Sequence, residues 1–402
     1  LFDFMILSIN STKLFQNGEW VFVLHKKYYY EDMKFLKTDF QRIIAMNTLV
    51  GVGMGMIGIF VPIYLLHLKF SLSTVIFWLL IHHSSLLFGA FLTIFVSNRI
   101  GLVRCWYVRI AIVTLFFVGL FLLPNNPSFV FTLAFMSGLE SAFFWIPYNI
   151  LTVRKTNEST IGSSLALMSN IGSAVGIIVP GVAALLIVSY GYGVLFALAL
   201  FFILISIIPV LPLRHEQTDF HFSWSEVKNI TKRHKQFILS EILDNLGQDA
   251  QVIWTLFVFI TGLTVLNIGV LGIITGLVGM AVTFVTGRLI DKWDKKKVMR
   301  LGAIVATIMW IISYIIAIYQ PTPLMLYIVT ALRGFAVGIF ATSYGAIMFN
   351  RARSDDAQFL VLREVPTILG RVLLFVITLI LISIGKFELS FTVVAILSLY
   401  FW

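Results

Sequence analysis

Apolar residues in this chain come in long unbroken runs separated by short polar turns, not in the alternating or short-period patterns of a water-facing fold. A membrane-crossing helix needs about 20 mainly apolar residues. Runs of that kind fall near 42–67, 74–97, 101–123, 127–153, 158–187, 191–213, 236–262, 266–290, 296–319, 323–350 and 357–385. A last apolar segment opens near Leu389 and reaches Trp402, and reads as a twelfth helix cut short. Between the sixth and seventh runs lies the polar stretch RHEQTDFHFSWSEVKNITKRHK, from Arg214 to Lys235. The pattern predicts an all-α integral membrane protein with a tail at 1–41, a six-helix bundle at 42–213, a linker at 214–235 and a second bundle at 236–402. The linker reads either as a cytoplasmic interfacial helix or strap, or as a plain connection.

Composition supports the same class. Hydrophobic residues make up 59% of the chain and charged residues 12%, against about 25% charged in soluble proteins. That leaves too little polar material to cover a soluble surface. The single cysteine, Cys105, excludes an intramolecular disulfide and offers no metal-site spacing. A net charge of +10 would suggest nucleic acid in a soluble protein; here it reads as loop charge that fixes topology. With the N-terminus placed in the cytoplasm, 24 of the 29 Lys and Arg fall in the tail and the loops of that side. Lys69 and Lys386 fall outside, and Arg333, Arg363 and Arg371 fall within spans. That asymmetry predicts a multi-pass protein of the cell membrane with a cytoplasmic N-terminus. The opening LFDFMILSIN carries Asp3 and lacks a basic start, so it does not read as a signal peptide. Residues 1 to about 32 read as an extension, with Met33 as a candidate start.

The halves repeat. SGLESAFFWIPYN in the fourth span aligns with RGFAVGIFATSYG in the tenth, pairing Gly138 with Gly334, Phe144 with Phe340 and Tyr148 with Tyr344. Internal repeats of this kind underlie transporter folds. The loop after the eighth span, GRLIDKWDKKKVMR, resembles the major facilitator superfamily signature G-x-x-x-D-[RK]-x-G-[RK]-[RK]. Gly287, Asp291, Lys292, Lys295 and Lys296 match, while Asp294 stands in place of the second glycine. The matching loop of the first half, VSNRIGLVRCWYVR, is similar to an eroded copy: Asn98, Arg99 and Gly101 fit, but Ile94 replaces the leading glycine and Asn98 the acid. The resemblance implies two pseudo-symmetric six-helix bundles, a gating role for these loops, and a central cavity lined by the first, fourth, seventh and tenth spans.

Ionisable residues within spans are costly and face protein or water. Eight stand out: Glu140, Glu241, Asp244, Asp249, Arg333, Arg363, Glu364 and Arg371. In the seventh span Glu241, Asp244, Asn245 and Gln248 share one helical face, with Asp249 at its edge. Glu241 and Asp244 could equally sit at the water boundary. Asp249 lies about 20 Å into the helix at 1.5 Å per residue, so it is the preferred acid for proton or cation coupling; its alternative is a permanent ion pair with an Arg. In the fourth span Glu140, Phe144 and Tyr148 form one line, with Trp145 and Asn149 beside them and Pro147 able to bend the helix. An acid flanked by aromatics suits a small organic ligand and is equally compatible with packing. Arg363 can snorkel. Arg371 is deeper and needs a partner, with Glu364, Glu140 and Asp249 as candidates. Five acids against three Arg leave a surplus of negative charge that fits protonation during a transport cycle. Tyr344 completes the candidate lining set.

Other features read as packing. Gly172, Gly176, Pro180 and Gly181 suit close helix contact. The run GVGMGMIG at 51–58 lies inside a span with no following Lys-Ser/Thr, which excludes a phosphate loop. His82 and His83, without partners at ligand spacing, read as satisfied interior histidines. The expected function is secondary active transport of a small organic solute by alternating access, coupled to a proton or another cation. A zwitterion, a polyol or an amphiphilic drug would suit the mixed lining. The alternative is a non-transporting sensor or scaffold on the same fold. No catalytic constellation supports an enzyme. The expected partners are a small-molecule substrate, the lipid bilayer and H+, with no cofactor, metal or nucleic acid, and the protein is expected to act as a monomer.

Overall fold

The computed structural model describes residues 10–16, 19–25, 36, 38–155, 161–214, 235–319, 321–352 and 357–401. The linker expectation for 214–235 therefore lies almost wholly outside the described residues. Ahead of the bundle, β1 (Asn10–Gln16) and β2 (Glu19–His25) pair antiparallel, with Phe15 opposite Trp20. This short ribbon departs from the all-helical expectation; its alternation of Val21 and Val23 with Phe22 and Leu24 is β-type in character. The rest of the described fold is helical.

Where each helix starts and stops follows from local chemistry. Helix α1 (Asp39–Ile57) opens on a capping box: Thr38 Oγ1 accepts from the Gln41 amide, and Gln41 Oε1 accepts from the Thr38 amide, both at 3.2 Å. It breaks at Gly58 before α2 (Phe60–His67), because Pro62 has no N–H to continue the ladder. The first predicted span is thus two helical segments. Helix α3 (Leu72–Ile100) is capped by Ser71, and α4 (Leu102–Leu122) follows the positive-φ Gly101. Helix α5 (Val130–Lys155) holds Pro147. The fifth and sixth spans form one helical run, α6 (Ile161–Ile205), that reverses at Gly191, where φ is 81°. Only glycine takes that conformation without strain, so the two crossings join with almost no loop.

The second half comprises α7 (Lys235–Ile260), α8 (Val265–Lys292), α9 (Lys295–Ile318), α10 (Pro323–Ala352), α11 (Ala357–Ser383) and the short α12 (Leu389–Ser398). Among the described residues nine stretches are long and apolar enough to cross a membrane, and one of them, Ile171–Val210, contains the Gly191 reversal and makes two crossings. Helix α7 falls outside that set because it carries Glu241, Asp244 and Asp249.

The repeat is visible in side-chain geometry. Phe144 stacks on Tyr148 in α5 with ring centroids 5.5 Å apart and planes 12° off parallel, and Phe340 stacks on Tyr344 in α10 with the same two values. Gly138 lets α5 press onto the His82 carbonyl of α3, and Gly334 lets α10 approach the Thr275 backbone of α8. Two seams join the halves. One is apolar: α6 meets α8 where Gly269 and Gly272 lie under Pro180 and Gly276 lies under Ile177. The other sets α3 against α11, with Leu86, Ala142 and Ile368 in contact.

A Cβ at Gly138 would collide with backbone of α3, whereas one at Gly172 would meet nothing within 4 Å. Gly138→Ala is expected to destabilise the detergent-purified protein by about 1–3 kcal/mol, as overpacking does. Gly172→Ala is expected to be neutral or slightly stabilising, because alanine favours helix. Thermal denaturation of the two variants side by side checks this, and equal midpoints would contradict it.

Candidate functional site

Four groups of polar residues are buried in the bundle, and each fixes a different set of helices. In the first half Glu140 is fully buried on α5 and accepts from Arg109 Nε of α4 at 2.8 Å, with Ser141 Oγ donating to its other oxygen at 3.1 Å. The Arg109 guanidinium also lies 4.6 Å from the Phe144 ring centroid. Both charges are paired within one half, so this cluster rivets α4 to α5.

In the second half Glu241, in the first two turns of α7, is fully buried. It accepts from Tyr344 Oη of α10 at 2.8 Å and from Thr367 Oγ1 of α11 at 3.2 Å. One turn on, Asn245 Oδ1 accepts from Arg371 of α11 at 3.2 Å.

One further turn along α7, Asp249 meets both halves. Its carboxylate lies 3.0 Å from His83 Nε2 on α3 and 3.8 Å from Arg371 Nε on α11. His83 Nδ1 lies 2.9 Å from the Leu79 carbonyl. A carbonyl only accepts, so Nδ1 carries a hydrogen. That leaves Nε2 towards Asp249 Oδ2, though no aligned hydrogen bond joins the two, so an imidazole and a carboxylate face each other at the junction between halves. His82 packs beside it, bonded through Nδ1 to Ser137 Oγ at 2.9 Å and stacked on Trp78. His83 itself stacks on Phe375 of α11. A second bond between halves runs from Asn149 Nδ2 on α5 to Glu364 Oε1 on α11 at 3.0 Å.

The fourth group surrounds Arg333 of α10. Its guanidinium lies 3.7 Å from the Trp310 ring centroid and 4.7 Å from that of Trp254, and donates to Gln251 Oε1 at 2.8 Å. Two cavities lie against its partners Gln251, Trp254 and Trp310. The larger, about 450 Å³, is lined by α6, α7, α8 and α10, including Ser173, Gln251, Trp254, Thr330 and Gly334. The smaller, about 380 Å³, takes in Asp244, Gln248, Gln251, Trp310 and Phe340. Both are within the range of small-molecule sites.

The comparisons with known proteins agree with this architecture. The family model for the Major Facilitator Superfamily matches residues 246–401. The second half of the chain thus resembles that superfamily in sequence. Solved structures with the same fold include a bacterial homologue of the iron transporter ferroportin in an inward-facing state, with a TM-score of 0.68, 15% identity and coverage of 92% of this chain and 98% of that one. The D-xylose-proton symporter aligns with a TM-score of 0.67 at 13% identity, over 90% of this chain and 97% of that one. The nucleoside transporter NupG aligns at 0.62 and 15%, over 90% and 98%. By sequence, an uncharacterised protein of Bacillus subtilis (strain 168), YqgE, is 23% identical over 362 residues, covering 86% of this chain and 83% of the relative. The chain is thus a multi-pass membrane protein with the fold of a secondary transporter.

Against the sequence reading, several placements on this superfamily fold differ. Arg109, counted there among the loop cations, is buried inside α4, so 23 of the 29 basic residues remain on the predicted cytoplasmic side. It also neutralises Glu140, which removes Glu140 as a partner for Arg371 and cancels part of the acid surplus. The expected single polar face of α7 is two. Glu241, Asn245 and Asp249, each four residues apart, turn towards α11 and α3, while Asp244, Gln248 and Gln251 face the smaller cavity, with Gln248 bonded to Asp244 at 2.7 Å. His83 has a charged partner after all, from the other half.

Trp145 stands edge-on to Phe144 and Tyr148 with 45% of its surface exposed. In the loop after α8, Asp294 caps α9 by accepting from the Lys296 amide at 2.7 Å, which explains an acid where the superfamily signature has glycine. Arg99 lies over the Phe95 ring at 4.2 Å, Gly287 has no neighbour where a Cβ would stand, and Lys292 is exposed. Asn98 lies in the last turn of α3. The side chains of Asp291 and Arg363 lie outside the described residues.

Removing one member of a buried ion pair costs about 3–5 kcal/mol, while replacing both by apolar groups is often neutral. Arg109→Met and Glu140→Met are each expected to destabilise by about that amount, and the double variant is expected to recover most of it. Unfolding in detergent of the four proteins tests the coupling; additive losses would contradict it.

Proposed function

We propose that this protein is a proton-coupled secondary transporter of a small organic solute, working by alternating access in the cell membrane with its N-terminus in the cytoplasm. The observation that carries the reading is the 3.0 Å approach of His83 Nε2 to the Asp249 carboxylate, a place for a proton at the junction of the two bodies that must move apart. With the proton present, an imidazolium faces a carboxylate, or a carboxyl donates to an imidazole, and both arrangements attract. With the proton gone, two acceptors oppose each other across the seam. Asp249 then has Arg371 as its nearest cation, 3.8 Å away on its own half. Proton loss therefore exchanges a bond between halves for a bond within one half, which favours separation of α3 from α7 and α11. Differential stabilisation of two states by a bound ion is what coupling requires.

The charged and titratable groups that face this junction are His82 from α3, Arg371 from α11 and Asp249 from α7. The solute cavity of about 450 Å³ takes walls from both halves, α6 on one side and α7, α8 and α10 on the other. That arrangement supports exposure of a bound solute to each side in turn. The basic residues support the orientation by the positive-inside rule, and Lys155 pairs with Asp39 at 3.2 Å, so the start of α1 and the end of α5 share one face of the bundle.

Purified protein in liposomes, given an imposed pH gradient and pooled radiolabelled solutes, tests the reading. Wild type is expected to accumulate a solute against its gradient. Asp249→Asn and His83→Gln are expected to reduce uptake to passive equilibration while solute exchange persists in part. Unchanged accumulation in Asp249→Asn would remove this junction from the mechanism. Binding without flux in wild type would favour a sensor or scaffold.

A further inference from the structure

The coupling junction leaves one buried charge unused. Arg333 is only 2% exposed, yet among the described residues it has no acid within ion-pairing distance. Its Nε and Nη1 are buried with no hydrogen-bond partner, and its one acceptor is the neutral amide of Gln251. Two other arginines inside the bundle are treated differently: the buried Arg109 is paired with Glu140, and the half-buried Arg371 lies against Asp249 and Asn245. The two tryptophans supply ring faces to the cation, but ring faces do not satisfy N–H donors.

The surroundings say where a partner could come from. Gln251 lines both cavities, Trp254 lines only the larger and Trp310 only the smaller, so the three side chains that hold the guanidinium line the cavities while Arg333 itself lies one layer behind them. The larger cavity has no charged residue in its lining. Asp244, the acid nearest by cavity, faces the smaller one and is bonded to Gln248. Seen from the larger cavity, Arg333 is an uncompensated positive charge behind a movable amide, in a low-dielectric setting where such a field is strong. Turning Gln251 aside would expose its planar donor edge, the geometry that binds carboxylates and phosphates in a bidentate manner.

We propose that the larger cavity takes an anionic solute, one bearing a carboxylate or phosphate group, and that Arg333 binds that group after Gln251 swings away. Gln251 acts as the placeholder that satisfies one N–H when the site is empty. Trp254 and Trp310 hold the guanidinium flat and in position. This names the solute class for the transport reading above and rests on it only for the word transport; the binding step stands by itself.

The test uses the detergent-purified full chain and thermal stabilisation as the readout. One panel holds monocarboxylates, dicarboxylates and sugar phosphates, and the other holds size-matched neutral polyols, sugars and nucleosides. At least one anionic compound is expected to raise the melting temperature of wild type in a saturable way. Arg333→Lys is expected to raise its half-saturating concentration by at least about tenfold, since an ammonium loses the bidentate fork, and Arg333→Gln is expected to abolish the effect. Gln251→Ala is expected to tighten binding several-fold, a result that a purely structural Arg333 would not give, and it remains informative if Arg333→Gln does not fold. No stabilisation by any anion, or a neutral solute acting equally on wild type and Arg333→Gln, would overturn the proposal. Asp249→Asn is expected to keep anion binding, so a failed coupling mechanism and a failed anion site give different results.

Discussion

An ionised side chain inside an apolar bundle must be met by an opposite charge, a hydrogen-bond partner or a ring face, because the desolvation penalty is several kcal/mol for each bare ion. Much of the helix placement in this protein follows from meeting that requirement. Arg109 and Glu140 set α4 against α5. Glu241, with Tyr344 and Thr367, ties α7 to α10 and α11. Arg371 reaches back from α11 to α7 through Asn245. These contacts lie within a half, and nothing in them depends on the other half being near. Asp249 is different because its closest partner, His83, belongs to the opposite bundle. The condition that fixes the interior of each half therefore becomes, at Asp249 and again where Asn149 donates to Glu364, a condition on how the halves meet.

The two seams respond to that condition unequally. Where α6 meets α8, Gly269, Gly272 and Gly276 bring the backbones together beside Pro180 and Ile177. Such a contact is held by van der Waals packing between small residues, and its strength does not change with a proton or a solute. Where α3 meets α7 and α11, the contact includes an imidazole, a carboxylate and a guanidinium, and in the proposed mechanism its sign depends on protonation. A constant seam beside a switchable one makes rotation of the halves about the constant seam the low-cost motion, in the manner of a hinge. The larger cavity sits against the constant seam, with Gly276 and Gly176 in its lining. In the proposed mechanism a small displacement at the switchable seam would thereby change the cavity's opening.

Much of this fold could be read from the chain. Apolar runs located the crossings because lipid leaves no other use for 20 such residues in a row, and the aligned Phe and Tyr of the fourth and tenth spans reappear as identical stacks. The site was less legible, for three physical reasons. Arg109 follows a basic loop closely, and sequence cannot distinguish a cation that fixes topology from one drawn inward by a buried acid. His83 looked unpartnered because its partner lies on a distant helix of the other half, and helical periodicity reports only neighbours on the same helix. The face of α7 was read as one because Glu241, Asp244, Asn245 and Gln248 span a narrow arc; it divides because two different neighbours, α11 and a cavity, meet the two edges of that arc.

The internal repeat also shows where chemistry departs from architecture. Gly138 and Gly334 occupy equivalent positions and both bring a helix close to its neighbour's backbone. The residue just before each is Ser137 in one half and Arg333 in the other. Ser137 bonds His82, next to the histidine that reaches across to Asp249. Arg333 faces a neutral amide and two tryptophans beside a cavity. The repeated glycine supplies the same close crossing twice, and the side chain ahead of it is free to differ because the crossing does not depend on it. Function resides in such differences, not in the shared scaffold. On this chain the first half places its variable position beside the histidine pair, and the second half places its own behind side chains that line two cavities.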